Sequence, residues 1–289
     1  MKRVIFLFLF GFLFMNVYSQ DKTNVVVIGA HPDDCDNDAG GTAILLSEMG
    51  FNVLFVSLTN GDAGHHEMGG GALAKRRMAE AKEAGKRFGV EYVVLDHHDG
   101  ELMPTLDIRL EVIRLIRNWN ADVVIGPRPY DYHPDHRNTA ILVQDAAYMV
   151  IVPNVAPDVP PLKKNPVFLY TEDRFQKPYP FRPEIAVDIT SVLDQKIYAM
   201  SAHESQFFEW LPWTSGRLDQ VPKTDEERLA WLKNWRKPEL TEEMKKSLVK
   251  WYGNEKTNSI KYAEAFEICE YGRRPSDEEI RELFPMLKK

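Results

Sequence analysis

Cysteine is nearly absent: Cys35 and Cys269 are the two in 289 residues, which excludes a disulfide framework and a zinc site built from four thiolates. Positive charge is in deficit, with 36 Lys and Arg against 43 Asp and Glu. A nucleic-acid binder needs a cationic face for the phosphates, so DNA and RNA are not expected as partners. No apolar run reaches the roughly 20 residues of a membrane-spanning helix, and there is no internal repeat or low-complexity tract. Gly and Pro, at 17 and 18, are too few for a collagen-like or Pro/Gly-rich disordered chain. What is present is ordinary globular composition, 44% apolar. The length suits one large α/β domain or at most two small ones.

The longest apolar run, Val4 to Met15, follows Lys2-Arg3 and precedes Asn16-Val17-Tyr18-Ser19. A short basic region, about a dozen apolar residues and small side chains before a cut at Gln20 are the anatomy of a secretory signal peptide. Residues 1–19 are therefore expected to be removed, leaving residues 20–289 exported, periplasmic or extracellular, and without a transmembrane span. A membrane anchor is the competing reading. No cysteine adjoins the cut, so lipid attachment there is excluded.

The first half alternates strand and helix signals. Apolar β-branched runs at residues 24–30, 52–59, 91–95 and 122–126 read as strands. Helical stretches are expected at 42–49 after Gly40-Gly41, at 73–88 before Gly89, from Thr105 onward, and at 137–150. Strands separated by such helices imply βαβ units and a mainly parallel sheet covered on both faces, a Rossmann-like three-layer α/β sandwich. Ligands bind such sheets beyond the carboxyl ends of the strands. The second half is less regular, with possible strands at 167–170 and 184–189, a helix at 190–203 and a helical C-terminal elaboration. Within it, residues 207–260 read as a Trp- and charge-rich insertion. Thr224…Glu227 and Ser276…Glu279 have capping-box spacing.

Two motifs stand at the strand ends that matter. His31-Pro32-Asp33-Asp34 follows the first strand and His133-Pro134-Asp135-His136 the fourth. Imidazole with carboxylate suits zinc, or another divalent first-row metal such as iron, cobalt or manganese. Singly, each residue has a plain structural explanation: a loop Asp caps a helix, a loop His is solvated, Pro fixes a turn. Two His/Asp clusters at strand ends of one sheet argue instead for a site.

Ala30-His31-Pro32-Asp33-Asp34, Gly40-Gly41-Thr42, Leu58-Thr59-Asn60-Gly61-Asp62 and His133-Pro134-Asp135-His136 together resemble the PIG-L/LmbE-like zinc deacetylases. Further matches are Arg77-x-x-Glu80, Asp99-Gly100-Glu101-Leu102, His203-x-Ser205-Gln206 and Tyr262-Ala-Glu-Ala-Phe266. The resemblance spans about residues 24–206 and returns near 262–270. It implies that His31, Asp34 and His136 bind the metal, that Asp33 is the general base, that His133 is the electrostatic partner or acid, and that Asp135 hydrogen-bonds and orients His133. The implied activity is zinc-dependent removal of the N-acetyl group from a GlcNAc-type sugar or glycoconjugate. A metal amidase releasing a larger acyl group, or an exported carbohydrate-binding protein without catalysis, are the alternatives. Cys35 stands where the family often carries an acidic residue; it reads as a small loop residue or a soft metal ligand.

The chemistry asks for these groups independently. An acetamide needs an activated water, a polarised carbonyl and a proton for its poor leaving amine. A carboxylate beside a metal site serves as base, and a histidinium stabilises an oxyanion, its charge favoured by a nearby Asp. Arg77, Asp99 and His203 are candidate substrate-binding residues, each with a structural explanation of similar weight. His65-His66 and His97-His98 read as loop residues near the mouth. Trp210, Trp213, Trp231, Trp235 and Trp251 read as packing first and as walls of a sugar cleft second. The sequence leaves oligomeric state open.

Overall fold

The computed structural model describes residues 22–287; the expected signal peptide, residues 1–19, lies outside the described residues. The chain runs β1 (Asn24–Gly29), α1 (Asp34–Glu48), β2 (Asn52–Thr59), α2 (Gly70–Phe88), β3 (Glu91–His97), α3 (Leu106–Asn118), β4 (Val123–Gly126) and α4 (Pro134–Met149). The second half continues with β5 (Val167–Thr171), β6 (Ile185–Asp188), α5 (Leu193–Met200), a π-helical segment Ser205–Trp210, α6 (Leu211–Thr214) and a 3₁₀ turn Leu218–Gln220. It ends with α7 (Asp225–Arg236), α8 (Glu242–Tyr252), α9 (Asn254–Thr257), β7 (Ala263–Ile268) and α10 (Asp277–Leu283).

The strands form one sheet in the order β3-β2-β1-β4-β5-β7-β6. The first five are parallel to one another, while β7 runs antiparallel to both β5 and β6. This is the expected α/β three-layer fold with a mainly parallel sheet. Strand alternation sends Val25 and Val27 into one apolar layer and Val26 and Ile28 into the other, as the two-residue period requires. Each fully buried Val or Ile contributes about 1.5–3 kcal/mol. One layer is closed by α3 and α4, through Val112, Ile113, Ile116, Leu142 and Ala146. The other is closed by α1, α2, α5, α8 and α10, so the C-terminal elaboration supplies core rather than a surface appendage: Leu248, Trp251 and Ile280 are among its buried members.

Local chemistry explains most boundaries. The Thr105, Thr224 and Ser276 side chains each accept the N–H of the residue three positions on, capping α3, α7 and α10. Two differences from the sequence reading are informative. Helix α1 starts at Asp34 and runs through Gly40-Gly41 instead of beginning after them. Lys196 Nζ donates to the Asn37 carbonyl at 2.6 Å, and the Glu264 carboxylate accepts the N–H groups of Gly41 (2.8 Å) and Thr42 (2.7 Å). This buried pair, Nζ to Oε1 2.7 Å, enters the helix from β7 and α5. A Cβ at Gly40 would stand 2.7 Å from Phe88, and one at Gly41 2.8 Å from Ile189. The second difference is β7 itself, whose Ala and Glu residues have low strand propensity; Glu264 and Glu267 are buried there by pairing with Lys196 and Arg128.

Candidate active site

The chain winds outward from β1 through β2 and β3 on one side, then crosses by α3 to β4 on the other. The carboxyl ends of β1 and β4, adjacent parallel strands, therefore lie where the connectivity reverses, the usual ligand crevice of such sheets. His31 and Asp33 occupy the loop after β1, and Asp34 opens α1. His133 caps α4, with Pro134 at its first position and Asp135 and His136 in its first turn.

Three side chains converge. His31 Nδ1 lies 3.2 Å from His136 Nε2 and 3.6 Å from Asp34 Oδ2, and His136 Nε2 lies 3.5 Å from Asp34 Oδ2. Donors of a tetrahedral zinc ion, bound at 2.0–2.1 Å, stand about 3.4 Å apart, so this triangle fits one divalent cation. The far nitrogen of each imidazole faces carboxylates: His31 Nε2 meets Asp99 Oδ1 at 3.1 Å and Asp135 Oδ2 at 3.3 Å, and His136 Nδ1 meets Asp131 Oδ1 at 3.1 Å. Carboxylates in that position fix the tautomer and raise the basicity of a metal-binding imidazole. The His133 ring also lies within 4.8 Å of the other two, but its Nδ1 is taken by the Asp135 amide.

Charge is concentrated here. Burial would lower His136, but Asp34 and its bond to Asp131 outweigh it and lift the imidazole to about 9. Burial likewise opposes a charged His31, and the bonds to Asp135, Asp34 and Asp99 raise it nonetheless. Asp34 is desolvated too, yet His136 and His31 hold it well below the usual carboxylate range. Burial lifts Asp33 to about 6 against the pull of Arg77. Carboxylates at positions 33, 34, 99, 131 and 135 around two imidazoles make a strongly anionic corner that favours a cation.

Four sequence assignments change on folding. Asp135 does not orient His133 through its carboxylate: the bond between them runs from the Asp135 N–H to His133 Nδ1 (3.2 Å), while the carboxylate accepts the N–H groups of Gly100 (2.6 Å) and Leu102 (3.2 Å) and faces His31. His133 is correspondingly not held protonated; burial and the neighbouring His31 and His136 charges lower it. Arg77 is not a solvated helix residue: it lines the cleft from within, its guanidinium already engaged by the protein. It is 1% exposed and donates to Pro32 O (2.7 Å), Asp33 Oδ1 (3.1 Å) and Gly61 O (3.3 Å). The left-handed turn at Gly61 is built around it, since a Cβ there would meet Nη1 at 2.3 Å. His203 is fully buried against Asp36 (2.9 Å) and does not line the cleft. Asp99 lines the cleft and also faces His31.

Cys35 is not a ligand. Its thiol lies in the core, with the carbonyls of Val27 and Val56 as alternative acceptors of its one proton. His65 pairs with Glu209, His97 with Glu111 and His98 with Asp62, while His66 stacks on Trp213. The tryptophans divide: Trp251 is core, with Nε1 donating to Glu184 O (2.8 Å), and Trp210, stacked on Trp213 at 5.3 Å, lines the cleft. Residues given no role from the sequence are Asp131, signalled by its place two residues before His133, and Gln206, Phe207 and Arg236, which wall the cleft. That cleft, about 530 Å³, shares Asn37, Asp38, Glu172 and Arg236 as lining with an adjoining cavity of about 630 Å³.

Residues 26–147 match the model of the PIG-L family, described as GlcNAc-PI de-N-acetylase. The chain is 34% identical over 206 residues to diacetylchitobiose deacetylase of Thermococcus kodakarensis, covering 67% of this chain and 74% of that protein. It belongs to the PIG-L family. The N,N'-diacetylchitobiose deacetylase of Pyrococcus horikoshii, solved with its inhibitor MPG, superposes with a TM-score of 0.64 at 26% identity over 87% of this chain and 85% of that one. The chain is also similar to a protein of different activity: 4-oxalmesaconate hydratase of Pseudomonas putida is 25% identical over 209 residues, 69% of this chain and 80% of that protein. The matched PIG-L region contains both histidine loops, and it ends before the π-helical segment and α7, which contribute Trp210 and Arg236 to the cleft.

Proposed function

We propose that this PIG-L protein hydrolyses the N-acetyl group of a GlcNAc-type sugar or glycoconjugate, with a divalent cation, zinc in the first instance, held by His31, Asp34 and His136. The observation that carries the reading is the donor triangle of 3.2–3.6 Å with Asp33 beside it; the diacetylchitobiose deacetylase relative supports the substrate class. A cation at that corner supplies Lewis acidity, polarising an acyl carbonyl and acidifying water. Asp33 is tied through Oδ1 to Arg77, which leaves Oδ2 to accept the proton of the attacking water. His133 accepts the Asp135 N–H at Nδ1, so a neutral ring carries its one proton on Nε2. That N–H donates to the oxyanion as the C–O bond forms. The proton held on Asp33 then passes to the departing nitrogen as the C–N bond breaks, giving acetate and the free amine. The cleft wall of Trp210 and Phe207 offers apolar faces to a sugar ring.

Removal of residues 1–19 as a signal peptide would set this reaction outside the cytoplasm, where an envelope or foraged glycan is the available substrate. The test is acetate release from N-acetylglucosamine, its oligomers and N-acetylated glycoconjugates, with metal content measured on the same preparation and 4-oxalmesaconate as a hydration control. Acetate release dependent on about one divalent ion per chain is expected. A metal-loaded protein that hydrates the control and releases no acetate from any amino sugar overturns the reading.

A further inference from the structure

An aspartate at the N-cap of a helix ordinarily turns its carboxylate back to accept the helix's own free N–H groups. Asp33 holds that position on α1 and makes no such bond. Its backbone sits at φ 128°, in the region that L side chains avoid, and its carboxylate meets Arg77 and lines the cleft instead. Something must hold it there. The Asp33 N–H donates to the Tyr92 hydroxyl at 3.0 Å, and that hydroxyl donates to Asp36 Oδ2 at 2.9 Å. The other Asp36 oxygen lies 2.9 Å from His203 Nε2. Asp36 and His203 are both fully buried, and the Tyr92 ring is fixed edge-on by Phe55 and faces His203. The chain of bonds therefore links three separate parts of the fold, the start of α1, strand β3 and the segment after α5, and it ends on one backbone amide.

We propose that Tyr92, braced by Asp36 and His203, is the positioning residue of Asp33: its hydroxyl pins the Asp33 amide in the left-handed conformation and so turns the carboxylate from capping α1 to serving the cleft. This deepens the deacetylase reading and rests on it for its kinetic consequence, though not for its structural one. It assigns a role to Asp36 and to His203, which no contact with the cleft explains. Arg77 acts on the same residue from the other side, through the side chain and the Pro32 carbonyl. Tyr92 is the partner of its backbone.

The experiment is Tyr92→Phe, which removes the hydroxyl and keeps the ring, made in the wild type and in Asp33→Asn. In the wild-type background kcat falls about tenfold, the effect of one lost hydrogen bond expressed at the reacting group, while KM and metal content stay unchanged. In the Asp33→Asn background Tyr92→Phe produces no further fall, because the group it positions no longer takes a proton. Amide hydrogen exchange over residues 31–36 speeds up selectively at Asp33, a readout independent of any activity, and thermal unfolding is followed on the same samples. An unchanged kcat and unchanged Asp33 exchange overturn the proposal. So does an equal fall in both backgrounds, which would mean that the hydroxyl supports the fold at large. If the wild type releases no acetate, the deacetylase reading fails separately, and exchange at Asp33 still decides whether Tyr92 holds it.

Discussion

The two His-Pro-Asp loops occupy equivalent places, each bridging a parallel strand to the helix that follows, and they use the same three residues in opposite ways. After β1 the helix begins one residue beyond the tripeptide, so Pro32 precedes the cap, Asp33 is the cap and Asp34 is the first helical residue. After β4 the helix begins inside it, with His133 as cap and Pro134 at the first position, where proline's missing N–H costs nothing. This two-residue shift of helix start turns the third residue of each motif toward a different task. Asp33 faces the cleft at φ 128°. Asp135 faces inward, fully buried, and fixes His31. The first histidine of the first loop and the second of the other, His136, then meet at 3.2 Å. Identical residue types in like positions do not imply like roles; the helix register decides.

That contrast breaks most completely at the shared ligands. His136→Ala removes one corner of the donor triangle, and metal content by elemental analysis and acetate release should both fall to background; a variant with full occupancy would show that the ligand assignment is wrong. The equivalent aspartates then separate. Asp33→Asn should keep metal content and lose about 10²–10⁴ in kcat with little change in KM, measured by steady-state acetate release. Asp135→Asn weakens the support of His31 rather than the chemistry. It should lower metal affinity about 10–100-fold, read by competition with a chelating dye, with kcat recovered at saturating metal. Equal phenotypes for the two would erase the distinction between the loops. The last contrast concerns pH. Each loop contributes an imidazole raised above its ordinary value, His136 to about 9, so below that pH a cation must displace a proton from it. Metal affinity should rise with pH by about tenfold per unit for each proton displaced and lose the His136 share of that slope above about 9, as followed by metal titration from pH 6 upward.

Much of the site was legible because its parts are local. The histidine motifs lie in the loops that follow their strands, and the continuous apolar runs at β1, β2 and β4 locate those strand ends. The capping residues of α3, α7 and α10 were legible for the same reason: a Thr or Ser and the N–H it serves lie three residues apart. Some local contacts failed to show, such as Asp131 beside His133 and His136, but the longest misses cross large sequence separations. Arg77 reaches Asp33 from 44 residues away and His203 reaches Asp36 from 167. A composition that reads as a polar helix face or a loop histidine carries no trace of such a partner.

The sequence by itself determined the parallel α/β architecture, the pair of histidine loops and the kind of chemistry they suit, since hydrophobic period, turn residues and donor types are properties of short segments. Only the tertiary structure decided which aspartate is free and which is buried, because that depends on where each helix begins and on what waits opposite it. It also decided that Glu264 and Lys196 sit inside the fold as a pair at 2.7 Å and that Ala263–Ile268 is a strand. Neither charge is stable in an apolar layer alone. The free energy that places them belongs to the assembled pair and to the backbone groups of Asn37, Gly41 and Thr42 in α1 that bond to them.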